Sequence, residues 1–179
     1  SINGSTSAAT QMLKAKVSKT GYENTDKSSE DLQNAIDKLA GKKSTVFKDA
    51  RESKDTSKVT AAAQELIDKY NSLVKVMSKM SSSLDEFYKK ALKGLPESIK
   101  ESLEKVGITY NSDGTLEVDS DKLKKADVDS LEKIFGSDSE FMKKLSFVTD
   151  RIESNAEANL QSVSSTYSST ADIMSSFNS

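Results

Sequence analysis

The feature that most constrains the fold is an apolar stripe running from Val59 to Ala91. Its members follow one another at alternating steps of four and three residues, the heptad spacing of a helix that packs against another helix. The stripe consists of Val59, Ala63, Leu66, Tyr70, Leu73, Met77, Met80, Leu84, Phe87 and Ala91. No proline or glycine interrupts it. The pattern predicts one helix of about 50 Å, so we expect a rod or a long bundle.

A second stripe of the same kind occupies the C-terminal part of the chain. We expect its helix to start at Ser137 or Asp138 and to run to about Ser164 or further. Its apolar positions are Phe141, Leu145, Val148, Ile152, Ala156, Leu160, Val163 and Tyr167. The two stripes predict two helices packed antiparallel. The seam between them is predicted to contain Tyr70, Leu73, Met77, Phe141, Leu145 and Val148.

The N-terminal 57 residues give a less regular pattern. Residues 1–10 are small and polar, and a short helix is predicted over about residues 10–18. The sequence GYENTDKSS resembles a turn, after which Ser28 or Ser29 can cap a helix that ends at Gly41. Residues 42–57 are predicted to be helical or a linker.

Between the two stripes lies a short segment with a different periodicity. Gly94 is predicted to end the first long helix, and Pro96 to open a helix over Glu97–Lys105. Residues 108–118 then alternate apolar and polar side chains on either side of an Asp113-Gly114 turn, which predicts a β-hairpin. Asp119 or Ser120 should cap the helix that follows, and a helical pattern continues to Gly136.

The acidic residues of the hairpin also raise the possibility of a calcium loop. When Gly114 is aligned with the invariant glycine of such a loop, Thr109 and Ser120 fall at its first and last ligand positions. The two carboxylates that usually anchor the ion are therefore missing. Asp119 and Asp121 fit a cap and a first-turn charge better than a catalytic pair. A structural turn is the favoured interpretation, without metal or cofactor.

Composition excludes several classes of function. The chain contains neither cysteine nor histidine, which removes disulfides, thiolate nucleophiles and the usual zinc ligands. We expect no enzyme activity. The net charge of −2 and the scattered lysines do not indicate a nucleic-acid partner. No apolar run is long enough to span a bilayer, and no signal peptide opens the chain.

Three segments, in order, resemble one protein family. The sequence GITYNSDGTLEVDSDKL resembles the C-terminal region of the bacterial flagellar filament-capping protein family, also called hook-associated protein 2. The matching positions are Gly107, Ile108, Asp113, Gly114, Thr115, Leu116, Val118, Asp119, Lys122 and Leu123. VDSLEKIFG is similar to that family's next segment, and AAAQELIDKYNSLV, with Tyr70-Asn71, is similar to its preceding helix. The resemblance covers about residues 59–165.

The resemblance implies a secreted structural protein of the bacterial flagellum. Such a protein assembles as a homo-oligomer at the filament tip, contacts flagellin or other axial proteins, aids flagellin assembly and, in some bacteria, mediates adhesion. The lack of cysteine and tryptophan suits a chain that crosses a narrow channel unfolded. A secreted helical adhesin-like module and a helical partner resembling an export chaperone are the alternatives.

The predicted fold class is mainly α: an elongated antiparallel helical bundle or coiled coil with one small hairpin. We expect three regions: short helices and a flexible start over 1–57, a rod with the hairpin over 58–164, and a Ser-rich tail over 165–179. The first region does not resemble the family, so the chain is interpreted as a fragment, a minimal relative or a paralogue. The tail is expected to fray in the isolated chain and to become ordered against a partner.

Overall fold

Two long helices dominate the computed structural model, which describes residues 7–177. The first helix, α1, spans Ala8–Ala40, and the last, α8, spans Glu140–Phe177. Gln33 and Ser146 join them through two hydrogen bonds of 2.8 and 3.1 Å. Asp26, earlier on α1, lies beside Glu153, later on α8, so the helices run antiparallel. At 1.5 Å per residue each is at least about 50 Å long. The mainly α, elongated fold class is confirmed.

Six shorter helices and one hairpin complete the described part of the chain. The helices are α2 (Val46–Ser53), α3 (Ser57–Met77), α4 (Ser83–Ser98), α5 (Lys100–Lys105), α6 (Ser120–Lys125) and α7 (Val128–Phe135). The hairpin is formed by β1 (Ile108–Tyr110) and β2 (Leu116–Val118), which pair antiparallel with Ile108 opposite Val118. One continuous apolar core joins most of these elements.

The N-terminal region differs from its prediction because α1 is a single helix. The expected turn at GYENTDKSS is helical, and the short and long helices on either side of it are continuous. Ser7 caps the N-terminus, its side chain accepting a hydrogen bond from the Thr10 amide at 3.1 Å. Tyr22, Thr25 and Ser29 are buried at helical spacing through the expected turn. Packing of this face against α8 and α3 therefore overrides the weak helix propensity of the segment.

The predicted 33-residue helix from Val59 to Ala91 is also wrong, because the stripe breaks after Met77. Helix α3 ends there, and α4 begins six residues later. Ser82 caps α4 by accepting a hydrogen bond from the Asp85 amide at 3.0 Å. Serine favours a cap over a helix interior, so the run of three serines before Leu84 gives the chain an alternative to continuing. Leu84 and Phe87, the stripe positions after the break, are 47% and 64% exposed.

The ends of α4 and α5 are displaced from their predicted places. Gly94 and Pro96 both lie inside α4, which continues to Ser98. The helix predicted over Glu97–Lys105 is reduced to α5, which starts at Lys100. Pro96 falls close to the end of α4 and is buried there, so it does not open the next helix as predicted.

The α3 part of the first stripe does not pack mainly against the C-terminal stripe on α8. Helix α8 packs mainly against α1 and next against α4, whereas α3 packs mainly against α1. Direct contact between α3 and α8 is slight, so their predicted pairing is wrong. The physical reason is α1: its Leu32, Ala35, Ile36 and Leu39 form an apolar face that both other helices cover. The N-terminal region is thus packed into the bundle.

The segment from the hairpin to α7 agrees with its prediction. Gly114 has φ +88°, as the turn requires, and Asp119 caps α6 by accepting a hydrogen bond from the Lys122 amide at 3.1 Å. Helix α7 ends at Gly136. Ser139, which follows the predicted starts Ser137 and Asp138, caps α8 by accepting a hydrogen bond from the Met142 amide at 3.2 Å.

The C-terminal helix extends well beyond Ser164, which its prediction allowed. It continues as helix through the Ser-rich segment to Phe177, where fraying was expected. Ordering of this segment against a partner stays a prediction. Across residues 7–177, no helix combines the length and hydropathy needed to cross a membrane.

The central position of α1 predicts a large difference between two leucines on that helix. Leu32 is fully buried, so Leu32→Ala should lower the free energy of unfolding by about 2 to 5 kcal/mol through a cavity in the core. Leu13 is 62% exposed, so Leu13→Ala should change it by less than about 0.5 kcal/mol. Urea unfolding followed by circular dichroism measures both. Equal effects would contradict the packing of α1 into the core.

Candidate functional site

The hairpin is held against α3 by two adjacent side chains. The Tyr70 hydroxyl donates a hydrogen bond of 2.6 Å to the Gly114 carbonyl, at the tip of the turn. The Asn71 side chain donates to the Leu116 carbonyl at 2.7 Å and accepts from the Leu116 amide at 2.8 Å. Asn71 therefore pairs with the outer edge of β2 as a further strand would, which satisfies an exposed strand edge. We call Tyr70, Asn71 and the residues they bind the hairpin clamp.

Hydrogen bonds within the turn fix the carbonyl that Tyr70 binds. The Asp113 carboxylate accepts from both the amide and the hydroxyl of Thr115. These bonds hold the pKa of Asp113 below its usual range, because they stabilise the charged form. The Lys93 side chain lies so close over Gly114 that a Cβ there would clash with its Cδ. Positive φ and this close approach both favour glycine at the tip.

The buried clamp keeps its tyrosine uncharged. Burial raises the pKa of Tyr70, and the nearby Tyr110, Asp113 and Glu97 add to the shift because their negative forms would repel a phenolate. The pKa of Tyr110 is raised for the same reasons, with Glu97 as its main charged neighbour. Tyr70 therefore stays a hydrogen-bond donor across the physiological pH range. The arrangement positions a loop and offers no activated nucleophile.

A second polar cluster joins three helices near the middle of the long pair. Asp85 of α4 is 3% exposed, and its carboxylate accepts from the Tyr22 hydroxyl at 3.3 Å and from the Asn155 side chain at 3.2 Å. Burial and the proximity of Asp85 raise the pKa of Tyr22. The sequence does not predict this cluster, because Tyr22 and Asn155 are separated from Asp85 by 63 and 70 residues and the three share no motif.

Acidic side chains gather on the surface of the α1–α8 pair. One carboxylate oxygen from each of Asp26, Glu153 and Glu157 lies within 4.8 Å of the others. This separation would allow a cation to bridge them, but all three are partly or fully exposed and no second feature indicates a ligand. Burial raises the pKa of Glu153, and the neighbouring carboxylates, Asp26 and Glu157 first among them, raise it further.

The structural and interaction residues predicted from the sequence fall into two groups. Tyr70, Asn71, Asp113 and Gly114 come together in the hairpin clamp, and Asp119 caps α6 directly after β2. Leu73, Met77, Phe141 and Leu145 are buried in the common core, and Val148 packs partly buried against it. The second group does not form the direct α3–α8 seam that was predicted. A role for either group in binding a partner stays a prediction.

Comparison with known proteins identifies the half of the chain that carries the hairpin. Residues 89–176 match the family model described as flagellar hook-associated protein 2 C-terminus. This segment is therefore similar to the C-terminal part of that family. The resemblance drawn from the hairpin and from VDSLEKIFG is thus confirmed. The comparisons with curated proteins and with solved structures give no match.

The family match includes only one side of the hairpin clamp. The hook-associated protein 2 segment begins at Lys89, so it includes the turn but not Tyr70 and Asn71 on α3. It extends through most of α8, beyond the end predicted from sequence. The match supports a structural role of the flagellar cap kind. The clamp is the direct contact by which the unmatched half positions the matched hairpin.

The hairpin clamp predicts two graded losses of stability. Tyr70→Phe removes one buried hydrogen bond and should cost about 1 kcal/mol. Asn71→Ala leaves both backbone groups of Leu116 unpaired and should cost about 1 to 3 kcal/mol. Hydrogen exchange should show faster exchange of the Leu116 amide in the Asn71 variant alone. Ser72→Ala, which removes an exposed bond to Asp68, serves as the control. Unchanged protection in the Asn71 variant would contradict the clamp.

The raised pKa of Glu153 predicts a pH-dependent effect of its removal. A carboxyl whose pKa rises on folding stabilises the fold fully only below its unfolded-state pKa, and that stability is lost as pH rises through the folded-state pKa. Glu153→Gln should therefore raise the melting temperature at neutral pH and lose this advantage below about pH 4. Differential scanning calorimetry across this range measures it. Glu104→Gln, at an exposed position of α5, is the control for the loss of one negative charge.

Proposed function

We propose that the chain is a non-enzymatic structural protein of the flagellar cap kind, acting outside the cell at the filament tip. The observation that carries the proposal is the match of residues 89–176 to the hook-associated protein 2 C-terminus. In this proposal the protein assembles with copies of itself and with flagellin or other axial proteins through helix packing, and aids the addition of flagellin. Adhesion is a further role of the protein that the family resemblance implies.

The architecture supports a mechanical role. Two antiparallel helices of at least about 50 Å form a stiff element, because each buries one face along the other. The short hairpin is fixed to α3 by side-chain hydrogen bonds, and α3 packs on α1. The hairpin is therefore held in place relative to the long helices. The tyrosines and carboxylates whose pKa values are shifted interact with one another or make hydrogen bonds that position backbone and side chains.

The exposed apolar residues support assembly. Leu13, Val17, Phe87 and Phe147 are each more than 60% exposed on the helices, and Ile173 near the C-terminus is 50% exposed. Single exposed apolar side chains are ordinary, but Leu13 and Val17 lie one helical turn apart on the same face of α1. A helix that forms an apolar stripe on a face the bundle does not cover is suited to contact another protein.

Binding to flagellin filaments tests the proposal. Purified protein should sediment with filaments assembled from flagellin, and gold-labelled antibody should mark filament tips in electron micrographs. A chain lacking residues 163–179 should bind less, because the Ser-rich end of α8 is predicted to order against axial partners. Light scattering of both chains reports self-assembly.

Three results would count against the proposal. They are a monomer with no filament binding for either chain, labelling distributed along the cell surface of non-flagellated cells, and recovery of the protein from the cytosol. The second would support the adhesin alternative, and the third the chaperone-like one. Bovine serum albumin sedimented with the same filaments controls for trapping.

A further inference from the structure

An open groove of about 860 Å³ lies between the first half of α1 and the loop that joins α3 to α4. Its apolar lining comes from Leu13 and Val17 of α1 and from Met80 of the loop. Leu13 is 62% and Val17 is 66% exposed, although both belong to a well-formed helix. We call this feature the α1 groove.

The α1 groove is a continuous strip because Met80 packs directly on the backbone of α1. A Cβ at Gly21 would lie 2.8 Å from the Met80 sulfur, so the sulfur fills the space that a side chain would take. Leu13, Val17 and Gly21 follow one another at four-residue steps along a single face. The strip is therefore about 12 Å long on α1, which corresponds to just over two turns of an opposing helix.

The opposite face of the same helix segment is already in use. Ala15, two residues after Leu13 and two before Val17, is 7% exposed, and the principal partner of α1 is α8. The apolar side chains of the α1 groove are thus additional to those that hold the pair together. A soluble helix normally presents one apolar stripe, so a second uncovered stripe indicates a binding face.

The charges around the α1 groove are positive. Lys16 and Lys79 line it, one on each wall. Its one acidic lining residue, Asp85, is 3% exposed and already accepts hydrogen bonds from Tyr22 and Asn155. An occupant therefore meets an apolar floor and two cationic walls. Acidic side chains on either side of an apolar stripe complement this arrangement.

The same charges disfavour a two-fold symmetric contact with a second copy of the chain. A two-fold symmetric contact would bring the lysine-lined walls of both copies together, because an isologous interface uses the same patch twice. Like charges placed opposite one another destabilise such a contact. A partner with a different sequence avoids this repulsion.

We infer that the α1 groove binds an amphipathic helix from another protein, with aliphatic side chains at helical spacing and Asp or Glu residues beside them. The aliphatic side chains lie against Leu13, Val17 and Met80, and the acids pair with Lys16 and Lys79. Helix-in-groove recognition of this kind needs anchors at successive turns, which matches the length of the strip. Methionine adapts its shape to the anchor it meets. If the proposed function holds, this partner is an axial flagellar protein, and that identification rests on the proposed function.

Two designed peptides test the inference without a native partner. Both are helical, about 18 residues long, with leucines at heptad a and d positions. The first carries glutamates beside the leucines and the second carries lysines there. Fluorescence anisotropy of the labelled peptides should show binding of the glutamate peptide by the full chain. The lysine peptide should bind at least about tenfold more weakly, with the difference shrinking at high salt.

Variants locate the binding to the α1 groove. Leu13→Asp with Val17→Asp should abolish binding of the glutamate peptide, since both side chains are exposed and their replacement leaves the core intact. Phe147→Asp, at an equally exposed aromatic on α8, is the matched control and should bind normally. Lys16→Glu with Lys79→Glu should reverse the peptide preference. Lys42→Glu with Lys43→Glu, at exposed lysines after α1, should preserve it.

Several outcomes would overturn the inference. Equal affinity for both peptides would show that charge complementarity does not contribute to binding. Binding unaffected by the Leu13 and Val17 changes would place the peptide-binding site elsewhere on the chain. Dimerisation of the chain alone, abolished by those changes, would make a second copy the occupant. Circular dichroism of each variant confirms that it is folded.

Filament binding separates this inference from the proposed function. If filaments bind the Leu13 and Val17 double variant as well as the unmodified chain, the groove is not the contact although the proposed function stands. If the glutamate peptide binds the groove while filaments do not bind the chain, the groove inference stands and the proposed function fails.

Discussion

The antiparallel packing of α1 on α8 is the contact on which the other elements depend. These two helices make the most extensive contact of the bundle, and three further helices attach to the pair: α3 to α1, α4 to α8, and α7 to α8. The hairpin in turn is attached to α3 through Tyr70 and Asn71. Loss of the long pair would leave α3 and α4 without the surfaces that bury their apolar faces. A rod built in this way is stiff along its axis, as a structural role requires.

Two polar devices give the apolar bundle a unique arrangement. The hairpin clamp fixes the hairpin to one place on α3, because Asn71 matches both backbone groups of Leu116. The Asp85 cluster fixes α4 between α1 and α8, because the carboxylate needs donors from both long helices. Apolar stripes alone tolerate sliding by one helical turn, whereas buried polar groups lose their partners when they slide. The register of the bundle is therefore set by a small number of hydrogen bonds.

The residues that stabilise the fold and the apolar residues left uncovered lie in different parts of the molecule. The clamp and the core are internal and provide stability. The carboxylates of Asp26, Glu153 and Glu157 repel one another, and the packing of α1 on α8 holds them together despite this repulsion. The α1 groove, by contrast, leaves aliphatic side chains uncovered between lysines, and that combination is what another helix would recognise. The family segment, residues 89–176, supplies the hairpin and α8, while α1 supplies the groove.

Local pattern determined the elements whose structure depends on near neighbours. The hairpin, its Gly114 turn, the Asp119 cap and α7 with its Gly136 end were all predictable, because turn chemistry and caps act over two to four residues. The break at Ser81 to Ser83 shows the limit of this reasoning, since serines compatible with a helix interior formed a cap instead. Tertiary structure alone decided that α1 is continuous, that it lies between the α3 and α8 stripes, and that Tyr22 meets Asp85. Those outcomes depend on which surfaces become buried together. The spacing of an apolar stripe predicts that one face of a helix is covered, but it does not specify which helix covers that face.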